Sequence, residues 1–174
     1  MRNLRFIMAL FLGVLMTQGF GQAVHALGQE AGSSLICDSL PPLNKGVLDY
    51  VKTKLNKKVG RGQCWDLAAE ALQSVNASWD RAYKFGREVD TAHECVFPGD
   101  IIQFEKVIVE YTRDGGIYQE SMGHHTAVVF KVNSKGNFEL AHQNIGNGSN
   151  KVNLTNLDLK NVLKGKITIF RPVI

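Results

Sequence analysis

Apolar residues return every fourth position at Leu43, Val47, Val51 and Leu55, with Leu48 and Tyr50 beside them, and predict an amphipathic helix from Leu43 to Asn56. Lys52 and Lys54 lie on its polar face, and with Lys57 and Lys58 they place positive charge at the helix C-terminus, where the backbone dipole favours it. A second helical phase, Ala68, Leu72 and Val75, begins at Cys64 behind the loop Gly60-Arg61-Gly62-Gln63. Between Asn76 and Phe97 no period dominates, and the stretch reads as irregular with some helical potential. Asn76-Ala77-Ser78 within it is formally a glycosylation sequon.

From Pro98 the period becomes that of strands. Pro98-Gly99-Asp100 reads as a turn into a strand from Ile101 to Tyr111, whose apolar phase runs through Ile102 and Phe104 and then shifts to Val107, Val109 and Tyr111. A bulge or break near Lys106 would produce that shift. After a turn at Arg113-Asp114-Gly115-Gly116, the run from His124 to Val132 is apolar on both faces in its middle and reads as a central strand. Asn133 to Gly136 forms the next turn, Phe138, Leu140 and His142 alternate, and Ile145 to Asn150 is a loop rich in glycine and asparagine. Lys151 to Leu154 and Lys166 to Pro172 read as closing strands, with a short helix between them over Asn156 to Leu163. Helices followed by strands predict an α+β domain, N-terminal helices packed on an antiparallel sheet.

A four-residue loop at Asn133 to Gly136 would pair Val132 with Asn137 and set His142 opposite Ala127, on the sheet face of His125 and one diagonal step away. His124 would point to the other face. A three-residue loop would reverse the assignment, because one residue of slip exchanges the two faces of a strand.

Ahead of this pattern stands Met1 to Ala26. Arg2 and Arg5 precede an apolar run from Phe6 to Leu15, and the stretch ends in Val24-His25-Ala26, the features of a signal peptide. The run is short for a membrane span, so no stable span is expected after cleavage and the mature protein is expected to be secreted or periplasmic. Cleavage would lower the formal net charge from +4 to about +2 and leave about 148 residues, enough for one core without metal. Expected divisions are 1–26 as signal peptide, 27–42 as an extension and 43–174 as one domain, acting as a monomer. Mild basicity, with no aromatic residues among the lysines, gives nucleic acid no base-stacking surface. Of the three cysteines, Cys37 and Cys95 lie in loop-like sequence while Cys64 opens a helix, so a Cys37–Cys95 bridge would leave Cys64 as the free thiol.

A cysteine at a helix N-terminus has unpaired backbone N–H groups and the positive end of the dipole beside it, which favour the reactive thiolate. The competing reading is a small buried core cysteine. A histidine on a central strand and a second polar residue on its neighbour complete a Cys-His-polar set: imidazole accepts the thiol proton and later protonates the leaving amine, and the third group fixes the ring.

Gly62-Gln63-Cys64, Pro98-Gly99-Asp100-Ile101-Ile102, Gly123-His124-His125-Thr126-Ala127-Val128-Val129 and Ala141-His142-Gln143-Asn144 resemble, in order, the motifs of CHAP amidohydrolase/peptidase domains. NlpC-type peptidoglycan hydrolases and the cysteine-proteinase-fold domain of fungal actin-patch proteins share that order. The resemblance implies a papain-like fold, Cys64 as nucleophile, His125 as general base, His142 where CHAP domains usually have Glu, and Asn144 as an auxiliary polar residue. Histidine at 142 is similar to the NlpC-type arrangement. Gln63 is a candidate oxyanion donor alongside the Cys64 backbone N–H, with a solvent-facing role equally open, and Asp66 is expected as a helix-dipole residue. The function implied is an exported thiol amidohydrolase or peptidase acting on peptide or amide bonds of peptidoglycan, without cofactor. Two rivals stand beside it: a zinc site from Cys64, His124, His125 and His142, opposed by the alternation of adjacent histidines, and a papain-like binding or inhibitory module without turnover.

Overall fold

The computed structural model describes residues 37–145 and 149–174. The expected signal peptide and residues 27–36 of the expected extension lie outside the described residues.

Helix α1 spans Pro42–Lys54 and starts on a proline, whose missing N–H is one the first turn would leave unpaired anyway. It buries Val47 and Val51 against α2, Cys64–Ser74, which buries Leu67, Ala68, Ala71 and Leu72. The Tyr50 hydroxyl donates to Glu70 Oε2 at 2.5 Å across the two helices. The strands are β1 Arg87–Glu88, β2 Ile101–Arg113, β3 Gly116–Ser134, β4 Asn137–His142, β5 Asn153–Asp158 and β6 Val162–Arg171. They form one antiparallel sheet in the order β1-β6-β2-β3-β4-β5, so the fold is α+β with two helices on a six-stranded sheet.

Strand alternation divides the interior into two cores. Ile101, Val128, Ala141 and Phe170 meet the helices, whereas Ile102, Phe104, Ala127, Val129, Leu140 and Ile169 form a second cluster on the other face. The alternation breaks where the sequence shifts phase. Lys106 has φ 52°, and the β2–β6 pairing slips between Glu105 and Ile108, so Val107 and Val109 enter the second core.

Three connections depart from expectation. β3 begins at Gly116 rather than His124, because Asp114 and Gly115, at φ 52° and 77°, make a two-residue turn that pairs Arg113 with Gly116. Ser134 pairs with Asn137, so the β3–β4 turn has two residues and Val132 meets Phe138 rather than Asn137. Two register shifts in β3, around Phe130 and Asn133, then restore the offset: Val128 pairs with Ala141, and one further step sets His142 beside Ala127. The short helix over Asn156 to Leu163 does not form. Leu157 is buried in the second core, β5 continues through Asp158, and only a 3-10 turn, Leu159–Asn161, precedes β6. The stretch after α2 forms no helix either, apart from the short pairing of β1 with β6.

The Pro98-Gly99-Asp100 turn is fixed by burial. Gly99 has φ 87°, and a Cβ there would lie 2.2 Å from the Asn44 carbonyl oxygen. Asp100 is fully buried; its carboxylate accepts from Phe97 N, Asn44 Nδ2 and the Arg171 guanidinium. Nearby, Cys37 and Cys95 form a disulfide with their Cα atoms 5.9 Å apart.

Candidate active site

The turn that delivers Cys64 is held from within. Asp66 Oδ2 accepts from Gln63 N at 3.1 Å and Arg61 N at 2.7 Å, so the residue expected to complement the helix dipole also closes the loop. Its carboxylate offsets part of the positive field of the α2 N-terminus in the turn that carries the sulfur. Cys64 is a free thiol and half-buried.

The end of β4 is tied to the same turn. Gln143, fully buried, donates from Nε2 to the carbonyls of Val59 and Gln63 at 2.9 and 2.8 Å, and its Oε1 accepts from Val59 N at 3.1 Å. Asn144, at φ 59°, donates from Nδ2 to Gln63 Oε1 at 3.1 Å. Gln63 and Asn144 are therefore partners immediately beside Cys64, and the Gln63 side chain is engaged by Asn144.

His125 and His142 meet as the register requires. Their rings stand edge to face, His125 Nε2 lies 2.9 Å from His142 Nδ1, and His142 Nε2 lies 2.8 Å from Thr155 Oγ1. One proton order runs His125 Nε2–H to His142 Nδ1 and His142 Nε2–H to Thr155, leaving His125 Nδ1 as the acceptor; the other reverses every donor. Both histidines are buried, at 5% and 1% exposure, and His125 also lies beside the Phe104 ring. Desolvation, with a smaller contribution from His124, holds His125 down to about 4; desolvation and His125 hold His142 down to about 3. Burial thus keeps both rings neutral and opposes the imidazolium of a thiolate–imidazolium pair.

His124 faces the other way. Its Nδ1 lies 2.9 Å from Glu105 Oε2, its Nε2 lies 3.3 Å from Gln103 Nε2, and Tyr83 meets it edge-on at 4.1 Å. Thr126 Oγ1 donates to Gln103 Oε1 at 2.6 Å in the same polar row. By strand alternation this row shares the face of Val128, on which α2 packs, whereas His125 and His142 share the face of Ala127 and Leu140. The Gln143 and Asn144 hydrogen bonds link the two sides, and Cys64 makes no hydrogen bond to either ring of the buried pair in this structure.

Thr155, Gln143 and Glu105 were not singled out by sequence reasoning. Gln143 stood inside a quoted motif, but Thr155 is a lone threonine whose role depends on the pairing of β4 with β5. The four side chains of the zinc rival do not converge, and among the described residues no three Cys, His, Asp or Glu side chains gather to hold a metal. Among those residues no helix is long and apolar enough to cross a membrane. An open groove of about 560 Å³ runs along β3 past His125 and Asn144.

A helix that opens on a free cysteine, packed on an antiparallel sheet bearing a histidine pair, defines a cysteine-proteinase fold. The chain belongs to the AIM3/BBC1 cysteine proteinase-fold domain family, whose model matches residues 43–174. It is 28% identical over 145 residues to Altered inheritance of mitochondria protein 3 of Debaryomyces hansenii, covering 73% of this chain and 15% of that protein. The chain therefore spans a small part of that relative's length. A solved structure described as Ly7917 with the hydrolyzing product of MDP superposes with a TM-score of 0.47 at 14% identity, over 74% of this chain and 62% of the other.

Proposed function

We propose that the domain is an exported thiol hydrolase of peptide or amide bonds, with Cys64 as nucleophile, His125 as general base and His142 as the group that orients it. The observation that carries this reading is the hydrogen bond between His125 Nε2 and His142 Nδ1, continued from His142 Nε2 to Thr155; with His125 as the donor, it leaves His125 Nδ1 as an acceptor. In the cycle, Nδ1 takes the Cys64 proton as sulfur attacks the carbonyl carbon, then returns it to the leaving amine. Water deprotonated by the same ring releases the acyl group and regenerates the thiol. The Cys64 backbone N–H, at the helix end, and the Gln63–Asn144 pair beside it would serve as donors to the developing oxyanion. Turnover requires Sγ and Nδ1 to come within about 3–3.5 Å of each other, a contact this structure does not make. The signal-like N-terminus and the Cys37–Cys95 bridge support export, since disulfides persist in oxidising compartments.

Peptidoglycan is the substrate class to test first. Mass spectrometry of digests should show new termini with the intact protein and none with Cys64→Ala. A second reading, a binding module without turnover, is favoured by the burial that keeps both imidazoles neutral and by the separation of α2 from their face. Identical digests from the two proteins, across peptidoglycan and peptide substrates, would select it.

A further inference from the structure

The groove along β3 continues into a second cavity of about 260 Å³, and Tyr111, Glu120, Met122 and Ile145 line both. His125 opens onto the first and His142 onto the second, so both cavities border the histidine pair. In a chain with 20 Lys and Arg against 16 Asp and Glu, neither cavity is lined by a single Lys or Arg. Two carboxylates line them. Asp158 is engaged, Oδ1 by Lys160 N and Oδ2 by Asn137 Nδ2. Glu120 is half-buried and has neither an ion pair nor a hydrogen bond among the described residues.

Resting on the hydrolase reading above, we infer that Glu120 is the specificity residue of this groove and that the substrate is a peptide bearing a primary ammonium group. A half-buried carboxylate without a partner is costly, and an ammonium donating to it restores the interaction that water supplied. Burial raises the Glu120 carboxyl above its ordinary range, as expected of a group waiting for a cation. Glu120 lies five positions before His125 on β3, roughly 16–17 Å at strand rise, or about five residues of extended peptide. The ammonium therefore belongs at that distance from the bond attacked. Tyr111, stacked on Tyr118 at 5.8 Å, supplies an aromatic wall for the aliphatic stem of a lysine-like side chain.

The test separates binding from turnover. Cys64→Ala protein is titrated calorimetrically with N-acetylated alanine octapeptide amides carrying one lysine at successive positions, and with the same peptides carrying Nε-acetyl-lysine. The free amine should bind about tenfold tighter at one or two adjacent positions. Glu120→Gln in the same background, folded by circular dichroism, should bind both forms equally. No preference for the free amine, no measurable binding of any peptide, or a preference that survives Glu120→Gln overturns the inference. A preference that is lost with Glu120→Gln, in a protein that proves unable to turn over any substrate, upholds it while the hydrolase reading fails.

Discussion

His142 lies between His125 and Thr155, its Nδ1 2.9 Å from one and its Nε2 2.8 Å from the other, so a ring with 1% exposure has both nitrogens satisfied. Satisfaction of this kind is what allows a polar ring to remain in the interior. It also makes the orientation of His125 depend on β5.

Thr155→Val should therefore act through His142. The substitution keeps the shape but leaves a buried ring nitrogen unpaired, a cost of about 1–3 kcal/mol. Denaturant unfolding should show that loss. kcat/KM should fall less than in His142→Ala, because Nδ1 still reaches His125.

Stability should decline on the acid side through the two histidines. Both have folded pKa values below the unfolded value of 6.5, at about 4 and about 3, so the unfolded chain binds protons more readily. Their contribution is complete above about pH 6.5 and is lost as pH falls through that interval, at up to about 1.4 kcal/mol per unit for each ring. Urea midpoints from pH 7 to pH 3.5 measure it, and His142→Gln should flatten the slope. By the same neutrality, the acid limb of kcat/KM should fall near pH 4 rather than near 6.5.

The buried Asp100 should be among the costliest positions. It pairs with Arg171 and holds Asn44 and the Phe97 amide, so Asp100→Ala removes three partners at once and leaves a guanidinium whose side chain is only 13% exposed with the more distant Glu94 carboxylate, at 3.6 Å, and the Cys95 carbonyl. A loss of about 3–5 kcal/mol is expected in urea unfolding.

Peptide mapping without reduction should recover Cys37 joined to Cys95 and Cys64 unbridged. Cys95→Ala should lower stability by about 2–4 kcal/mol, as expected for a closed loop with 58 residues of separation.

Much of this arrangement was legible where packing imposes a period. The fourfold spacing of α1 and the phase shift at Lys106 are direct consequences of one buried face. The outer arm of β3, from Gly116 to Gly123, was not legible, because a hairpin arm largely exposed to solvent has no apolar phase to read. Leu159 and Leu163, four apart, mimic a helical spacing, yet Leu157 before them enters the second core and Leu163 is exposed on β6. The pairing of His125 with His142 was anticipated through an incorrect loop. Two residues too many in the turn equal two register shifts in β3, and the faces agree because the difference is even. Thr155 could not be found, since its contact follows from the β4–β5 register.

The central claim is that His125, held by His142, serves Cys64. The competing imidazole has a physical basis: His124 shares the face on which α2 packs and carries Glu105 on its Nδ1. The deciding measurement is kcat/KM on one substrate for His125→Ala, His124→Ala and His142→Ala, each shown to be folded by circular dichroism. His125→Ala should lose about 10²–10⁴-fold, His142→Ala should be intermediate, and His124→Ala should stay within about tenfold of the parent. Loss of turnover in His124→Ala with activity retained in His125→Ala would contradict the account and move the catalytic pair to the helix side of the sheet.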